Sequence, residues 1–173
     1  MDMKRKTNIV LIGMPAAGKS TIGVLLAKKL GLSFMDTDLV IQAREKKLLP
    51  EIIAQRGIDR FLELEERCLC SLGVTDSVIA TGGSAVYSGQ AMAALGGTGV
   101  LVYLETGLDA LETRLSSLDS RGVVRSRGQS VADLYRERIP LYQKYADVTV
   151  PCGSMTPDQV LSTLMNIKQI VKG

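Results

Sequence analysis

Gly13-Met14-Pro15-Ala16-Ala17-Gly18-Lys19-Ser20-Thr21 fits G-x-x-x-x-G-K-[ST], the pattern of a phosphate-cradling P-loop. Ordinary residue frequencies would place such a match in a chain of this length only on the order of 1% of the time. The flanks agree with it. Asn8-Ile9-Val10-Leu11-Ile12 is an apolar, β-rich run, and Ile22 to Leu30 has helical spacing closed by Gly31, so strand, glycine loop and helix follow in the order the motif needs. Gly13 and Gly18 let the backbone turn its N–H groups inward, and the N-terminus of the helix adds the positive end of its dipole. Lys19 then reaches the β- and γ-phosphates of a nucleotide, and the Ser20 hydroxyl is the expected Mg2+ ligand. The competing reading is a glycine turn that happens to cap a helix, with Lys19 in solvent.

Composition narrows the class. The chain has 173 residues, 46% hydrophobic and 23% charged, as expected of one globular domain with a sizeable core. Two Phe, five Tyr and no Trp argue against base stacking, and a net charge of +3 without a basic stripe gives no case for nucleic acid. No apolar run approaches the roughly 18 residues of a membrane span. The start, Met1-Asp2-Met3-Lys4-Arg5-Lys6, lacks a signal-peptide apolar segment, so a cytoplasmic protein is expected. Cys68, Cys70 and Cys152 fit no metal spacing and read as small apolar residues or free thiols, the first two on different sides of one helix. Histidine is absent, which excludes an imidazole base and any His-containing triad or zinc site.

Along the chain, Leu32–Asp36 reads as a second strand that delivers Asp36-Thr37-Asp38 at its carboxyl end, where ligands bind in open α/β sheets. Helices are expected over Leu39–Lys46, Pro50–Gln55 and Ile58–Leu72. In the last of these, Phe61, Leu64, Cys68 and Leu72 form the apolar stripe and Glu63, Glu65 and Glu66 fall mostly elsewhere. Ser77–Ala80 is a third strand that ends in Thr81-Gly82-Gly83-Ser84, and Gln90–Leu95 a short helix. Gly99–Leu104 is a fourth, buried strand and Leu108–Leu118 a helix. Ser120–Ser130, with Arg121, Arg125 and Arg127, breaks all periodicity and reads as a mobile loop. Val131–Tyr145 is helical with Pro140 bending or breaking it, Asp147–Val150 a fifth strand, and Asp158–Val171 the closing helix. Strands alternating with helices imply one α/β domain with a parallel sheet of about five strands covered on both faces.

Taken together, the P-loop, Asp36-Thr37-Asp38, Thr81-Gly82-Gly83, Arg114, the Arg121 loop and Arg138-Ile139-Pro140-Leu141-Tyr142 resemble shikimate kinase from about Asn8 to Val171. The resemblance implies a single P-loop kinase domain over 1–173, with strand order 2-3-1-4-5, a lid at about 118–130 and acceptor-binding helices at about 37–72. It implies ATP and Mg2+, a small-molecule hydroxyl acceptor and a place in aromatic amino acid biosynthesis, with neither nucleic acid nor membrane as partner. A monomer is expected, with a homodimer as the alternative. By position, Gly13, Ala16, Ala17, Gly18, Lys19, Ser20 and Thr21 would bind ATP. Ser20 and Asp36 would hold the Mg2+, Asp36 through water, and Asp38 would take the acceptor hydroxyl. Gly82 and Gly83 would line the acceptor site with backbone N–H groups. Arg114 would lie against the adenine, Arg121 would reach the transferred phosphoryl group, and Arg138 would grip the acceptor carboxylate. A weakly basic aspartate suffices as the proton acceptor, because a loose phosphoryl-transfer transition state depends on positioning and cations more than on base strength.

Each assignment has a plainer rival: Asp38 as a helix cap with Asp36 solvated, a solvated basic loop, Arg138 paired with Asp133 or Glu137 on its own helix, and a simple strand-exit turn at Thr81–Ser84.

The sequence departs from the family pattern in the segment Gly-Glu-x-x-Phe-Arg-x-x-Glu, which here reads Gly57-Ile58-Asp59-Arg60-Phe61-Leu62-Glu63-Leu64-Glu65. Leu62 stands where the resemblance places a second carboxylate-binding arginine, and Ser84 and Gly122 replace a glycine and a proline. Arg60 is about 200° away around the helix. Losing a charge-assisted bond to a carboxylate is worth roughly 1.5–3 kcal/mol. Either Arg60 or Arg56 supplies the missing contact to shikimate, or the acceptor is a different small hydroxy acid, amino alcohol or polyol. A non-catalytic ATP-binding module is the alternative from another class, and a nucleoside-monophosphate kinase suits the paired aspartates less well.

Overall fold

A computed structural model describes residues 6–117, 123–126, 128–168 and 170. The elements in chain order are β1 (Asn8–Ile12), α1 (Lys19–Leu30), β2 (Ser33–Asp36), α2 (Thr37–Glu45), α3 (Leu49–Arg56), α4 (Ile58–Cys70) and β3 (Ser77–Ala80). A 3-10 turn at Ala85–Tyr87 follows, then α5 (Gly89–Thr98), β4 (Gly99–Glu105), α6 (Leu108–Ser117), α7 (Val131–Tyr145), β5 (Val148–Pro151) and α8 (Pro157–Met165). The strands form one parallel sheet in the expected order β2-β3-β1-β4-β5.

Strand alternation builds the core. Val10 and Ile12 of β1 join Ile79, Leu101 and Tyr103 on one face, under Leu69, Met92, Leu95, Leu134 and Tyr142 from α4, α5 and α7. Ile9 and Leu11 join Val78, Val102 and Leu104 on the other, under Ile22 and Leu26 of α1 and Val160, Leu161 and Leu164 of α8. A smaller apolar cluster of Ile41, Leu49, Ile52, Phe61 and Cys68 holds α2, α3 and α4 together beside the sheet.

Several boundaries differ from the sequence reading for identifiable reasons. Helix α1 begins at Lys19 rather than Ile22, because Gly18 takes φ 93° and caps it directly. Helix α7 runs unbroken through Pro140, whose missing N–H falls on the exposed side of the helix, one turn after the exposed Arg136. Helix α8 ends at Met165. On α4 the buried residues are Phe61, Glu65, Cys68 and Leu69, so Glu65 joins the inward stripe, while Leu64 packs half-buried against the Phe61 and Cys68 cluster. Cys68 and Cys70 do face opposite ways, one buried and one exposed.

Because β3, β1 and β2 are neighbours, their carboxyl ends bring the P-loop, Asp36–Asp38 and Thr81–Ser84 into one row. Behind that row Tyr103 stacks on Tyr142, with ring centroids 5.2 Å apart. Its hydroxyl is buried and meets no hydrogen-bond partner among the described residues. Burying a lone hydroxyl costs about 1–3 kcal/mol. Tyr103→Phe keeps the stack and removes that cost, so thermal unfolding followed by circular dichroism should show Tm rising by about 2–4 °C per kcal/mol recovered; a lower Tm would show that the hydroxyl has a partner.

Candidate active site

The row of strand ends opens into a cleft of about 430 Å3, whose walls include Lys19, Ser20, Asp36, Asp38, Gly82 and Arg138. Its floor is the P-loop. Gly13 takes φ 147°, and a Cβ there would stand 2.9 Å from the Leu104 carbonyl oxygen, so glycine is needed for both conformation and space. At Gly18 (φ 93°) a Cβ would meet nothing within 4 Å, which leaves an open cradle at the mouth of the loop. Ala16 takes the left-handed φ of 63°, and its carbonyl accepts a 3.1 Å bond from Arg114 Nη1. Lys19 Nζ donates to the Gly13 and Met14 carbonyls at 2.8 and 2.7 Å, curled into the loop it would leave to meet phosphate. Burial lowers its pKa to about 8, against the opposing pull of Asp38.

Asp36 ties the loop to the next element. Its Oδ2 accepts from Ser20 Oγ at 2.7 Å, while Oδ1 accepts from the Asp38 and Leu39 N–H groups at 3.0 and 3.4 Å. The cap of α2 is therefore Asp36, not Asp38 as the plainer reading had it. That leaves the Asp38 side chain facing the cleft, where burial first and Asp36 second raise its pKa to about 6. The Ser20 hydroxyl and the Asp36 carboxylate, already in contact, are hard oxygen donors of the kind Mg2+ takes beside nucleotide phosphates.

Both glycines after β3 line the cleft, and Gly82 departs from its expected role. Gly82 N–H donates to Thr37 Oγ1 at 3.2 Å and so is not offered to an acceptor. A Cβ on Gly82 would lie 2.5 Å from Glu65 Oε1 and 2.7 Å from Asp38 Oδ1, and one on Gly83 would lie 2.8 Å from Pro15 Cδ and 2.9 Å from Arg138 Nη1. Glycine suits both positions because side chains close in on the backbone, the carboxylates of Glu65 and Asp38 at Gly82 and Pro15 with Arg138 at Gly83.

Arg138 is 1% exposed and turns into the cleft instead of pairing along its own helix. Asp133 pairs with Arg136 at 3.2 Å, and Glu137 accepts from Tyr87 Oη and Gln129 Nε2. Arg138 Nε donates to Tyr87 Oη at 2.9 Å, the guanidinium lies 5.0 Å over the Tyr87 ring, and Nη2 donates to the Val124 carbonyl. Val124 is itself buried in the α2–α4 cluster, so the 123–126 stretch of the expected mobile loop is packed down over the acceptor end. Tyr142 Oη donates to the Gly83 carbonyl at 2.7 Å and steadies the same corner.

Neither proposed substitute for the missing arginine reaches the cleft. Arg60 is exposed and pairs with Glu63 at 2.8 Å, and Arg56 pairs with Glu45 at 2.5 Å. Leu62 is half-buried and lines a separate hollow of about 230 Å3 with Glu65, Glu66 and Tyr87 among its walls. Arg125 is half-buried and absent from the cleft wall, and Arg121 and Arg127 lie outside the described residues. Arg114 lines a second cleft of about 420 Å3 on the other side of the P-loop, with Ala16, Thr21, Cys152, Met155 and Val160. Sequence reasoning missed three contributors: Thr37, Tyr87 and Glu65. Only Glu65 had a signal, since it lies four residues after Phe61 on the same helix face.

Fold and site together define a P-loop phosphotransferase with a nucleotide loop on one side and a charged acceptor cleft on the other. The family model described as shikimate kinase matches residues 15–168. The shikimate kinase of Pseudomonas entomophila is 36% identical over 167 residues, covering 94% of this chain and 97% of its own length. That of Haemophilus influenzae strain PittEE is 32% identical, covering 99% and 97%. The structure of shikimate kinase from Acinetobacter baumannii in complex with shikimate superposes with a TM-score of 0.85 at 29% identity, covering 94% of this chain and 93% of that one. The chain belongs to the shikimate kinase family, and it is a phosphotransferase that acts on a hydroxyl group with ATP as donor.

Two outcomes follow from this geometry. Tyr87→Phe removes the acceptor of the Arg138 Nε bond, a loss of about 1.5–3 kcal/mol for a charged donor. Steady-state kinetics should then show the acceptor KM raised about 10- to 100-fold while the ATP KM stays within about twofold. A bell-shaped pH profile of kcat/KM is also expected. Asp38, with a raised pKa, must lose its proton, so activity falls below pH about 6; Lys19, with a lowered one, must keep its proton, so activity falls above pH about 8 in the free enzyme. In kcat the alkaline limb should move upward, because bound phosphates favour the charged lysine.

Proposed function

We propose that this enzyme transfers the γ-phosphoryl group of ATP to a hydroxyl of a small carboxylic acid seated between Asp38 and Arg138. The observation that carries this reading is the pairing, in one cleft, of a carboxylate facing the P-loop lysine with a buried guanidinium on the opposite wall. The phosphates would lie in the Gly13–Thr21 cradle, with Lys19 released from the Gly13 and Met14 carbonyls to meet them. Adenine would enter the second cleft against Arg114. Ser20 and Asp36 would hold Mg2+, which when bound neutralises charge developing on the phosphate oxygens. Asp38 would orient the acceptor hydroxyl and take its proton late in the transfer. Gly82 would give space, not a hydrogen bond, and Arg138 would fix the acceptor carboxylate. Arg121 remains the proposed lid arginine. The work is done by positioning and by cations on a loose transition state, which a chain without histidine can supply.

Shikimate falls within this acceptor class, and the similarity to shikimate kinases along the chain favours it. The cleft wall, with Arg138 as its arginine among the described residues and Leu62 turned into the neighbouring hollow, favours an acceptor with other demands. An ADP-release assay with ATP, Mg2+ and a panel of hydroxy acids including shikimate decides whether the class is right. Acceptor-dependent ADP formation is expected, with Asp38→Asn lowering kcat about 10²- to 10⁴-fold. No acceptor-dependent turnover, or an unaffected Asp38→Asn variant, would leave an ATP-binding module without transfer activity.

A further inference from the structure

Glu65 is a buried carboxyl with one oxygen unmatched by any hydrogen-bond donor among the described residues. The residue is 2% exposed, its Oε2 accepts from Ser84 Oγ at 2.6 Å, and its Oε1 meets no hydrogen-bond donor among the described residues. It lies directly behind the acceptor wall, because Oε1 and Asp38 Oδ1 both come within 2.7 Å of the point where a Cβ on Gly82 would stand. Two carboxylates thus converge across one glycine. Among the described residues, the nearby cations make their hydrogen bonds elsewhere. Lys19 bonds two P-loop carbonyls, Arg138 bonds Tyr87 and Val124, Arg60 bonds Glu63 and Arg56 bonds Glu45. On the far side of Glu65, Leu62 contributes no charge, and the hollow it lines also carries Asp59, Glu63 and Glu66.

Removing an ion from water without a counter-ion is costly, and a ligand that brings the counter-ion recovers that cost on binding. We propose that the acceptor is a small hydroxylated amino acid, whose ammonium group docks on Asp38 with Glu65 behind it while its carboxylate meets Arg138. This rests on the reading of the cleft as a hydroxyl-acceptor site. An ammonium and a hydroxyl on neighbouring carbons, or on carbons one apart, reach the two oxygens of one carboxylate, so Asp38 serves both groups, and Glu65 adds its negative field through the Gly82–Ser84 wall. A zwitterion adds no net charge to the acceptor end, whereas a plain hydroxy acid would add a negative charge opposite Asp38 and Glu65. Burial pushes the Glu65 carboxyl up to about 7, so a proton is the rival counter-ion that the ligand cation displaces.

The test compares acceptors matched except at the amine, namely L-serine with glycerate, where a hydroxyl takes its place, and L-homoserine with 4-hydroxybutyrate, where a hydrogen does, together with shikimate. It uses the full chain with ATP and Mg2+ at pH 7.5 and reads ADP release and phosphorylated product. The amine-bearing member of at least one pair should have a kcat/KM about 10- to 100-fold above its counterpart and above shikimate, the worth of one charge-assisted contact. Glu65→Gln, which mimics the protonated acid, should shrink that ratio to within about threefold with ATP affinity unchanged. Leu62→Arg, which supplies a protein cation beside Glu65, should shift the preference toward the amine-free acids. Equal or better turnover of glycerate, 4-hydroxybutyrate or shikimate by the unaltered enzyme overturns the amino acid assignment and leaves the hydroxy-acid kinase standing. Turnover of none of the five overturns both. An amine preference that survives Glu65→Gln in a variant with native circular dichroism removes Glu65 from the proposal and overturns it.

Discussion

One carboxylate joins the two halves of this enzyme. Asp36 sits at the last position of β2 and divides its oxygens between the Ser20 hydroxyl on α1 and the first N–H groups of α2. The first bond belongs to the nucleotide side and the second to the acceptor side. Neutralising the exposed N–H groups at the start of α2 is a local necessity of any helix. Doing so with a side chain that also faces the P-loop means that the orientation of α2 is set relative to that loop. Asp38, two residues on, inherits its place in the cleft from that arrangement.

The acceptor end is held from the other side by a chain of hydrogen bonds built around Arg138. Val124 takes one guanidinium nitrogen, Tyr87 takes another, and Glu137 receives both the Tyr87 hydroxyl and Gln129. Tyr87 and Glu137 belong to the body of the domain, whereas Val124 and Gln129 lie in the segment after α6. The guanidinium that would grip the acceptor is therefore positioned in part by residues that pack over it. An arginine held this rigidly would lose little rotamer freedom on binding a carboxylate, which would partly offset the lack of a second one among the described cleft residues.

Sequence motifs read the donor side well and the acceptor side less well, for a physical reason. The P-loop is a contiguous stretch whose glycines, lysine and serine act on one ligand through local backbone geometry, so its function is legible from spacing. The acceptor site is assembled from α2, α4, the turn after β3 and α7, and its properties lie in the contacts between them. Glu65 looked like one of several surface acids on α4 because Leu64 next to it competes for the apolar stripe; the close approach of Gly82 and Ser84 selects Glu65. Arg60 and Arg56 looked like candidate replacements for an arginine at position 62 because charge can be counted in a sequence but its direction cannot.

By itself the sequence determined the class: apolar strands alternating with helices required a parallel sheet, and the Gly13–Thr21 loop required a phosphate ligand at its edge. It also determined that no histidine takes part. The tertiary structure alone decided which carboxylate caps a helix and which faces the cleft, that Gly82 serves by being small and not by donating its N–H, and that Arg138 turns away from its own helix. It also placed Leu62 outside the cleft and left Glu65 buried behind Asp38. These are matters of distance between elements far apart in the chain. They follow from the strand order, which brings β2, β3 and β1 together at their carboxyl ends, and not from the properties of any one segment.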